Sequence, residues 1–390
     1  MHHRELAVCF LLLALLLAAF IVEYRRHARQ RNRLSAAVLI NGTRGKSSTT
    51  RLVAAGLRAG NHIGPVLAKT TGTCARWILP DGSDREIRRA GPANIREMAQ
   101  GLALAERLGA TAYVAECMAV RTEYQSIVER WMRADITVIT NIRPDHEDAV
   151  GEGMRATAAS LAASLPRTGV LVAHEATVTA LEAVCDFPRE RILVADPTLG
   201  AAWLPLFSVP VVPENLSLAL TVCARLGVPP ETAAPAMAAA AADPGNLELL
   251  ECSHDGRNVS FTGAFAANDP ESTLLLAEQY WRPAGRISGI WIHGRPDRRQ
   301  RSSALCRALA GLRPDFLLVS GDAEFLRREW PADICRYGVF SLPLCREDEV
   351  AAALATLPPG DIRLFGAGNA KGMTMQTLGG TVLCRNLSLA

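Results

Sequence analysis

The chain has 390 residues, of which 49% are apolar and 21% are charged, so its composition is that of two soluble domains with sizeable cores. The formal net charge is only +3, and we therefore expect no broad basic surface for nucleic acid. The ten cysteines contain no Cys-x-x-Cys pair and no zinc-ligand spacing, which argues against a disulfide framework or a zinc site.

The N-terminal segment has the composition of a membrane anchor. Leu6 to Val22 is a continuous apolar run, near the lower length limit for a membrane-spanning helix. No small-residue cleavage site follows it, so a retained helix is favoured over a signal peptide, and a buried core helix is the alternative. The run is followed by five arginines: Arg25, Arg26, Arg29, Arg31 and Arg33.

These arginines predict the orientation and the surroundings of the anchor. With Glu23 they sum to +4, which leaves the rest of the chain at about −1. The positive-inside rule places them, and everything after them, in the cytoplasm. We therefore predict a single-pass protein of the cell (inner) membrane whose residues 1–34 are an anchor and a basic flank that contacts anionic lipid.

A glycine-rich loop follows the first predicted strand. The apolar run Ala36 to Ile40 leads into Asn-Gly-Thr-Arg-Gly-Lys-Ser-Ser at 41–48, and Thr49 to Gly60 is helix-like. A strand, a glycine turn and a helix start together form a phosphate cradle, although an ordinary turn is the alternative. The predicted ATP-binding residues of this loop are Gly42, Thr43, Arg44, Gly45, Lys46, Ser47 and Ser48.

Two residues of the loop have specific predicted roles. Lys46 reaches the terminal phosphates, and the Ser47 hydroxyl binds Mg²⁺. Only two residues separate Gly42 from Gly45, so the match is to a shorter variant of the usual P-loop. The chain contains just three lysines, Lys46, Lys69 and Lys371, and uses arginine elsewhere. A lysine in the loop therefore indicates that a compact ammonium is required there.

Other polar residues lie at predicted strand ends. Glu116 ends the strand 111–115, and the strand 135–141 leads into an acidic loop that contains His146. Ligands bind beyond the carboxyl ends of strands in open α/β sheets, so these residues should converge on the phosphate loop. Each alone has an ordinary alternative, a solvated strand end or a surface histidine. Together they indicate one Mg²⁺ at Ser47 and Glu116 and a second at His146.

The alternation of helices and strands predicts an α/β fold with mostly parallel sheets. We place a domain boundary at Asp243-Pro244-Gly245, which gives a P-loop domain at 35–245 and a smaller Rossmann-like domain at 246–390. The segment Lys69-Thr70-Thr71-Gly72-Thr73 is followed by a polar, arginine-rich stretch to Pro92, which is interpreted as an insertion or substrate loop. The segment 366–369 is interpreted as a turn rather than a phosphate nest.

Several motifs together resemble the ligase subunit of poly-γ-glutamate synthase, of the PgsB/CapB type, and more distantly the Mur ligases and folylpolyglutamate synthase. The resemblance covers nearly the whole chain. The motifs occur in the family's order: NGTRGKSS at 41–48, KTTGT at 69–73, ECMAV at 116–120, TNIRPDHEDAVG at 140–151 and FAANDPEST at 265–273.

The resemblance implies an ATP-dependent amide ligase with Mg²⁺. ATP would phosphorylate the γ-carboxylate of glutamate, and the amine of another glutamate would attack the acyl phosphate, so that poly-γ-glutamate grows. In this mapping Asn268 and Asp297 contact adenine and ribose, Arg298 lies near the phosphates, and Lys69, Thr70 and Thr71 contact substrate. Loop capping is the alternative for Asn268 and Asp297. Membrane partner subunits of the PgsC/CapC and PgsA/CapA kinds are also implied.

The chain departs from the Mur pattern at one place that concerns the metal site. Most Mur ligases use a carbamylated lysine after the histidine loop, and here no lysine lies between Lys69 and Lys371. Asp145 or Asp148 would have to complete a second metal site. The alternative functions are a membrane-anchored P-loop ATPase that forms no covalent product and a small-molecule kinase, since the phosphate loop and Glu116 suit all three.

Overall fold

The computed structural model describes residues 2–71, 75–89, 91, 93–144, 147–207, 211–240, 247–254, 256–265, 267, 270–281, 287–331 and 333–368. The chain forms two compact units, Met1–Ala241 and Ala242–Ala390.

The first unit contains ten α-helices and eight strands among its described residues. The helices are α1 (His2–Asn32), α2 (Lys46–Arg58), α3 (Arg96–Arg107), α4 (Thr122–Met132), α5 (Glu147–Val150), α6 (Gly153–Ala162), α7 (Glu175–Glu182), α8 (Pro197–Trp203), α9 (Pro213–Arg225) and α10 (Pro230–Ala238). The strands are β1 (Ala36–Asn41), β2 (Val66–Thr70), β3 (Arg76–Ile78), β4 (Asp84–Glu86), β5 (Ala112–Glu116), β6 (Ile136–Ile139), β7 (Val170–Ala173) and β8 (Ile192–Val194).

These strands form one sheet in the order β4-β3-β2-β5-β1-β6-β7-β8. The six neighbouring strands β2-β5-β1-β6-β7-β8 are parallel. β3 and β4 add an antiparallel hairpin at the β2 side of the sheet. β1 lies between β5 and β6, so the chain crosses to the other side of β1 after β5. This is the topological switch point at which open α/β sheets bind ligands.

The antiparallel edge corrects one interpretation from the sequence. The arginine-rich stretch before Pro92 was expected to be an insertion loop, but it contains the hairpin β3–β4. Trp77 and Ile78 are buried, and Gly82 has a φ of 87° in the connecting turn. The Asp81-Gly82 pair is a known hairpin signal, and the alternating residues around it are consistent with strands.

Side chains of β1 alternate between two hydrophobic cores. Val38 and Ile40 pack with α2, α9 and α10, whereas Ala37 and Leu39 pack with α3 and α4. The alternation follows from the two-residue period of a strand, and helices on both faces explain why β1 is an almost unbroken apolar run. The central strand is therefore held rigidly at the point where the glycine-rich loop begins.

The second unit has a six-stranded sheet in the order β13-β12-β11-β14-β10-β9. Only the pair of β9 and β10 is antiparallel among its described strands, so the predicted mostly parallel α/β fold is confirmed in both units. Its elements are β9 (Glu248–His254), β10 (Arg257–Gly263), α11 (Pro270–Tyr280), β11 (Ile287–Gly294), α12 (Arg299–Ala310), β12 (Phe316–Gly321), α13 (Ala323–Glu329), β13 (Val339–Leu342), α14 (Glu347–Ala355) and β14 (Ile362–Gly368).

The segment 366–368 was expected to be a turn, and it instead continues β14 as a strand. The three residues pair with β11 through Trp291, Ile292 and His293. A Cβ on Gly368 would lie 2.3 Å from the backbone oxygen of His293. The close packing of β14 against its inner neighbour β11 therefore requires glycine at position 368.

Helix α1 combines an exposed apolar part with a docked carboxyl end. In the part of the chain that the structure describes, its segment Glu5–Asn32 is the one helix that is long and apolar enough to cross a membrane, with a mean hydropathy of 2.8 and none of the apolar window buried. The described side chains of this run, such as Phe10 and Leu13, are half to two-thirds exposed. The same helix continues without a break to Asn32, and its carboxyl end contacts other elements of the first unit.

The docked end of α1 is held by polar contacts. Arg31 donates from Nε to the oxygen of Met132 at 2.6 Å and from Nη2 to the oxygen of Arg133 at 2.7 Å. Its guanidinium also forms an ion pair with Asp135 at 2.8 Å. Arg33 pairs with Glu106 on α3 at 2.7 Å. Arg31 and Arg33 therefore attach the helix to the first unit, which corrects the expectation that all five arginines face lipid.

We expect Arg31→Ala to lower the stability of the first unit. The substitution removes charged hydrogen bonds that are each worth about 1.5–3 kcal/mol, and it leaves buried carbonyl groups without this donor. For a unit of this size we expect Tm to fall by several degrees, about 2–4 °C per kcal/mol. Thermal unfolding of the detergent-solubilised full chain measures this, with Arg25→Ala, an exposed arginine of the same helix, as the control. Equal Tm values for the two variants would show that the docking contacts contribute nothing.

Candidate active site

The glycine-rich loop between β1 and α2 has the geometry of a tight anion-binding turn. Gly42 and Gly45 have φ angles of 120° and 80°, which side chains other than glycine rarely adopt. A Cβ on Gly42 would lie 2.2 Å from Oγ1 of Thr140, and a Cβ on Gly45 would lie 2.5 Å from Oδ1 of Asn215. Backbone conformation and close packing therefore both require glycine at the two positions.

Residues that follow β6 hold this loop in place. The Arg44 oxygen accepts hydrogen bonds from Thr140 Oγ1 at 2.6 Å and Asn141 Nδ2 at 3.1 Å. The Arg44 N–H donates in return to Asn141 Oδ1 at 3.1 Å, and the Thr43 N–H donates to the Asn141 oxygen at 3.0 Å. Hydrogen bonds within the protein thus fix the loop to the end of β6 without a contribution from a ligand.

This clamp changes how the loop would contact phosphate. The backbone N–H groups of Gly42, Thr43 and Arg44 all donate to Asn41 or Asn141. The three residues were predicted to bind ATP, and in the structure their N–H groups stabilise the loop itself. The first turn of α2, which begins at Lys46 and carries the positive end of the helix dipole, is the remaining anion-binding element of the motif.

The first residues of α2 face the ends of the adjacent strands. Lys46 Nζ donates to the oxygens of Gly42 at 2.7 Å and Thr43 at 3.1 Å, so the ammonium lies across the loop. Ser47 Oγ donates to Glu116 Oε2 at 2.7 Å. The sequence predicted that Ser47 and Glu116 converge, and the structure places them in direct contact.

Glu116 ends β5 and is almost fully buried, with 3% of its surface exposed. Its Oε2 accepts both the Ser47 hydroxyl and the Thr71 backbone N–H, the latter at 2.6 Å. A hydroxyl and a carboxylate side by side are the oxygen ligands that Mg²⁺ prefers, usually with water and substrate phosphates completing the shell. The residues present therefore fit a magnesium ion beside the phosphate loop.

Lys69 and Thr70 lie beneath this site rather than on its surface. Both are fully buried in β2, and Lys69 Nζ lies 3.2 Å from Glu97 Oε2 on α3. Burial lowers the pKa of Lys69, against the opposing charges of Glu97 and Glu116. Direct contact of these two side chains with substrate does not fit this burial. Thr71, which is partly exposed and bonded to Glu116, is the member of the predicted substrate group that lies at the site.

Glu97 connects Lys69 to a second cation. Arg89 donates to both oxygens of Glu97, at 2.6 Å from Nε and 3.0 Å from Nη2. Burial raises the pKa of Glu97, but the hydrogen bonds of Arg89 and the charge of Lys69 outweigh it, so this pKa lies below its usual range. Glu97 therefore stays ionised at neutral pH.

The structure also shows residues that sequence reasoning missed. Thr140, Asn141 and Asn215 contact the phosphate loop, and Asn41 donates to Gln125 at 2.8 Å and to Ser164 at 2.9 Å. Thr140 and Asn141 carry a readable signal, since they follow a predicted strand in the same way as Glu116. Asn215 and Gln125 lie on helices, so only the tertiary fold brings them to the loop.

In the second unit, Asp297 and Arg298 follow β11 in a short 3₁₀ turn, Pro296–Arg298. Asp297 is 58% exposed at its side chain and is held by Arg295, whose Nε lies 2.9 Å from Oδ1. Both residues therefore lie at a strand's carboxyl end, as predicted, and Asp297 has a local ion-pair partner. Their contact with nucleotide stays a prediction.

Three predicted site residues cannot be placed in this way. His146 and Asp145, proposed for a second metal ion, and Asn268, proposed for adenine, lie outside the described residues. Among the residues that the structure does describe, no group of three or more His, Cys, Asp or Glu side chains could hold a metal ion. Of the residues predicted to bind metal, Ser47 and Glu116 are described and lie in contact.

Each of the two units contains a segment that matches a known family model. The Mur ligase middle domain matches residues 40–183, and the poly-gamma-glutamate synthase CapB C-terminal domain matches residues 249–379. The capsule biosynthesis protein CapB of Bacillus anthracis is 32% identical over 311 residues, which cover 77% of this chain and 66% of that protein. The PGA synthase CapB of Bacillus subtilis (strain 168) is 36% identical over 269 residues, which cover 67% and 68%. The chain thus spans about two thirds of the length of these relatives.

Solved structures share the fold at low sequence identity. A bifunctional folylpolyglutamate synthase/dihydrofolate synthase of Yersinia pestis, complexed with AMPPNP and Mn ion, superposes with a TM-score of 0.65 at 14% identity, covering 90% of this chain and 89% of that one. MurF of Acinetobacter baumannii superposes with a TM-score of 0.62 at 14% identity, covering 91% and 78%.

We expect Gly45→Ala to disrupt nucleotide binding more than its backbone strain alone explains. A left-handed conformation costs a non-glycine residue about 1–2 kcal/mol, and here the added Cβ also collides with Asn215. Gly82→Ala is the matched control, because its φ is 87° but the nearest atom to its Cβ is 3.7 Å away. Equilibrium titration with ATP and thermal unfolding measure the two effects. If both variants bind ATP equally well, the packing of Asn215 against the loop does not matter.

Proposed function

Because the chain belongs to the CapB family of poly-γ-glutamate synthases, we propose that it is an ATP-dependent amide ligase that joins glutamate through γ-linked amide bonds. The family predicted from the motifs is thereby confirmed. The observation that carries the proposal within the structure is the contact of Ser47 with Glu116 beside a glycine-rich loop and the Lys46 ammonium. These are the parts that phosphoryl transfer requires.

The reaction consists of two transfers. A γ-carboxylate oxygen of glutamate attacks the terminal phosphorus of ATP, the bond to the bridging oxygen breaks, and ADP leaves with an acyl phosphate formed. The α-amine of another glutamate then attacks the acyl carbon, the amine loses a proton, and inorganic phosphate leaves as the amide forms. Activation is needed because phosphate is a much better leaving group than hydroxide.

The residues of the site act on charge and position in these steps. Lys46, whose ammonium lies across the loop, stabilises negative charge on the transferred phosphoryl group. Ser47 and Glu116 would hold Mg²⁺, which when bound would neutralise charge on the phosphates. The clamp formed by Thr140 and Asn141 keeps the loop in this conformation, so little reorganisation is needed when ATP binds.

The membrane location is part of the proposal. The exposed apolar part of α1 spans the inner membrane once, and the catalytic units lie in the cytoplasm. Arg25, Arg26 and Arg29 flank the membrane and contact anionic headgroups, because Arg31 and Arg33 are used to dock the helix. Glutamate and the growing polymer are the substrates, and partner subunits of the PgsC/CapC and PgsA/CapA kinds complete synthesis and export.

With its partner subunits supplied, the membrane-bound or detergent-solubilised chain should release phosphate from ATP only when glutamate is present. Lys46→Arg should reduce this release by about a hundredfold or more, because a planar guanidinium cannot replace the ammonium at this spacing. The assay follows phosphate and the incorporation of radiolabelled glutamate with ATP and Mg²⁺. Arg107→Lys, a basic exchange at an exposed site of α3, is the control. If phosphate release does not depend on glutamate and no polymer forms, the result would favour a P-loop ATPase.

The proposed second metal ion at His146 leads to a separate prediction about ATP affinity and reaction rate. His146→Ala should leave ATP affinity near that of the parent, because Lys46, Ser47 and Glu116 still hold the nucleotide and the first ion. Glutamate-dependent phosphate release should fall by about a hundredfold, since loss of a metal ligand costs several kcal/mol of transition-state stabilisation. Both quantities are measured at matched Mg²⁺ concentration. If neither changes, His146 takes no part in the reaction.

A further inference from the structure

His174 lies at the carboxyl end of β7 and has no role in the proposed mechanism. β6, β7 and β8 continue the parallel array on one side of β1, so their carboxyl ends lie on the same side of the sheet as the phosphate loop. The imidazole is partly exposed, and the residue belongs to none of the motifs that the phosphate site uses. Its hydrogen-bond geometry, however, connects it to that site.

Both ring nitrogens of His174 face backbone oxygens. Nδ1 lies 3.0 Å from the Ala195 oxygen, and Nε2 lies 3.0 Å from the Glu214 oxygen. A backbone oxygen only accepts hydrogen bonds and a neutral imidazole carries one N–H, so the protonated ring is the form that can donate to both oxygens. By contrast, His27 and His62 each meet a backbone oxygen through Nε2, which a neutral ring satisfies. The geometry at His174 therefore suits an imidazolium.

The two contacts join three elements of the first unit. Ala195 directly follows β8, and Glu214 lies in the first turn of α9, so the ring ties the end of β7 to both. A second contact fixes the same helix, because Ser217 Oγ donates to the oxygen of Asp196. His174 and Ser217 together hold the start of α9 against the end of β8.

The start of α9 also touches the phosphate loop. The Glu214 oxygen that meets the ring belongs to the planar peptide group that links Glu214 to Asn215. Asn215 is 6% exposed, and its Oδ1 would lie 2.5 Å from a Cβ at Gly45. Gly45 directly precedes Lys46, at which α2 begins. A displacement of this peptide group would therefore move Asn215 relative to the loop.

The described charged groups beside the ring are mostly acidic. Glu175, the next residue on α7, forms an ion pair with Arg189 at 3.1 Å. On α8, hydrogen bonds from Thr198 hold the pKa of Asp196 below its usual value. On α9, the Glu214 side chain is exposed. Carboxylates ordinarily ionise well below the pH range in which histidine titrates, so these charges stay constant while the ring gains or loses its proton.

We propose that His174 is a positioning residue for the nucleotide site: its protonated ring ties the start of α9 to the ends of β7 and β8 and so keeps Asn215 against the phosphate loop. The inference rests on the nucleotide site of the proposed function. Loss of the proton leaves one of the two oxygens without a donor from the ring, so the tie weakens as pH rises through the range in which histidine titrates, about pH 5 to 8. ATP affinity should therefore fall across this range.

The test compares the pH dependence of nucleotide binding in four chains: the parent, His174→Gln, Asn215→Ala and the double variant. A non-hydrolysable ATP analogue is titrated against the detergent-solubilised full chain at saturating Mg²⁺ from about pH 5.5 to about pH 8.5, which spans histidine titration. Glutamine keeps an N–H donor but does not titrate. Ionisation of the analogue and of the other histidines is common to all four chains, so differences between the curves report His174. Tm is recorded for each chain at each pH.

We expect the parent to bind the analogue about fivefold or more tightly than His174→Gln at the acidic end, and the difference should shrink towards the basic end. Asn215→Ala should weaken binding and remove this part of the pH dependence, so that adding His174→Gln changes nothing further. His62→Gln, an exchange at an exposed histidine with a backbone contact of its own, is the control and should follow the parent.

Three results would overturn the inference. If the parent and His174→Gln differ by the same factor at every pH, protonation of the ring is not involved. If a pH-dependent difference survives in the Asn215→Ala background, the ring does not act through Asn215. If His174→Gln does not fold, the parent and Asn215→Ala curves still decide, because equal pH dependence in these two chains contradicts the inference.

The same titrations separate this inference from the proposed function. If the parent binds no analogue at any pH, the nucleotide site is wrong and the inference fails with it. A parent that shows the pH effect but forms no glutamate polymer would contradict the proposed function while the role of His174 stands.

Discussion

The hydrogen bond between Ser47 and Glu116 is the contact around which the candidate site of the first unit is organised. It joins the start of α2 to the end of β5, and it can form only because β5 pairs with β1 in parallel register, with Ile40 opposite Glu116. The switch in strand order at β1 creates that neighbourhood. The described features of the candidate site in the first unit therefore lie at the carboxyl ends of neighbouring strands of one sheet.

Several polar groups near this contact hydrogen-bond to one another, and three of them, Asn41, Gln125 and Ser164, are buried. Asn41 bonds to Gln125 and Ser164 on one side of the loop, and Asn141 bonds to Arg44 on the other. Buried polar groups destabilise a fold unless each finds a partner, so a network of this kind specifies one arrangement of the loop. Such rigidity suits the phosphoryl transfer that we propose, because positioning and charge stabilisation supply most of the catalysis in reactions of this kind.

Helix α1 has an exposed apolar part and a carboxyl end that is fixed to the rest of the first unit. Its apolar part is exposed, whereas its last turns are fixed by Arg31 to the ends of α4 and β6 and by Arg33 to α3. Because the helix is continuous to Asn32, no flexible linker separates the apolar segment from the first unit. The helix itself therefore sets the position of the candidate site relative to the apolar segment.

The sequence by itself determined the fold class, the phosphate loop and the pairing of Ser47 with Glu116, because strand ends, glycines and hydroxyl–lysine spacing are local signals. It also identified the family from motif order. Only the tertiary structure decided that Lys69 is buried against Glu97, that Asn141 accepts hydrogen bonds from backbone N–H groups of the loop, and that Arg31 docks a helix. These outcomes depend on which distant elements become neighbours, and a side chain's charge alone does not indicate whether it meets solvent, substrate or another buried charge.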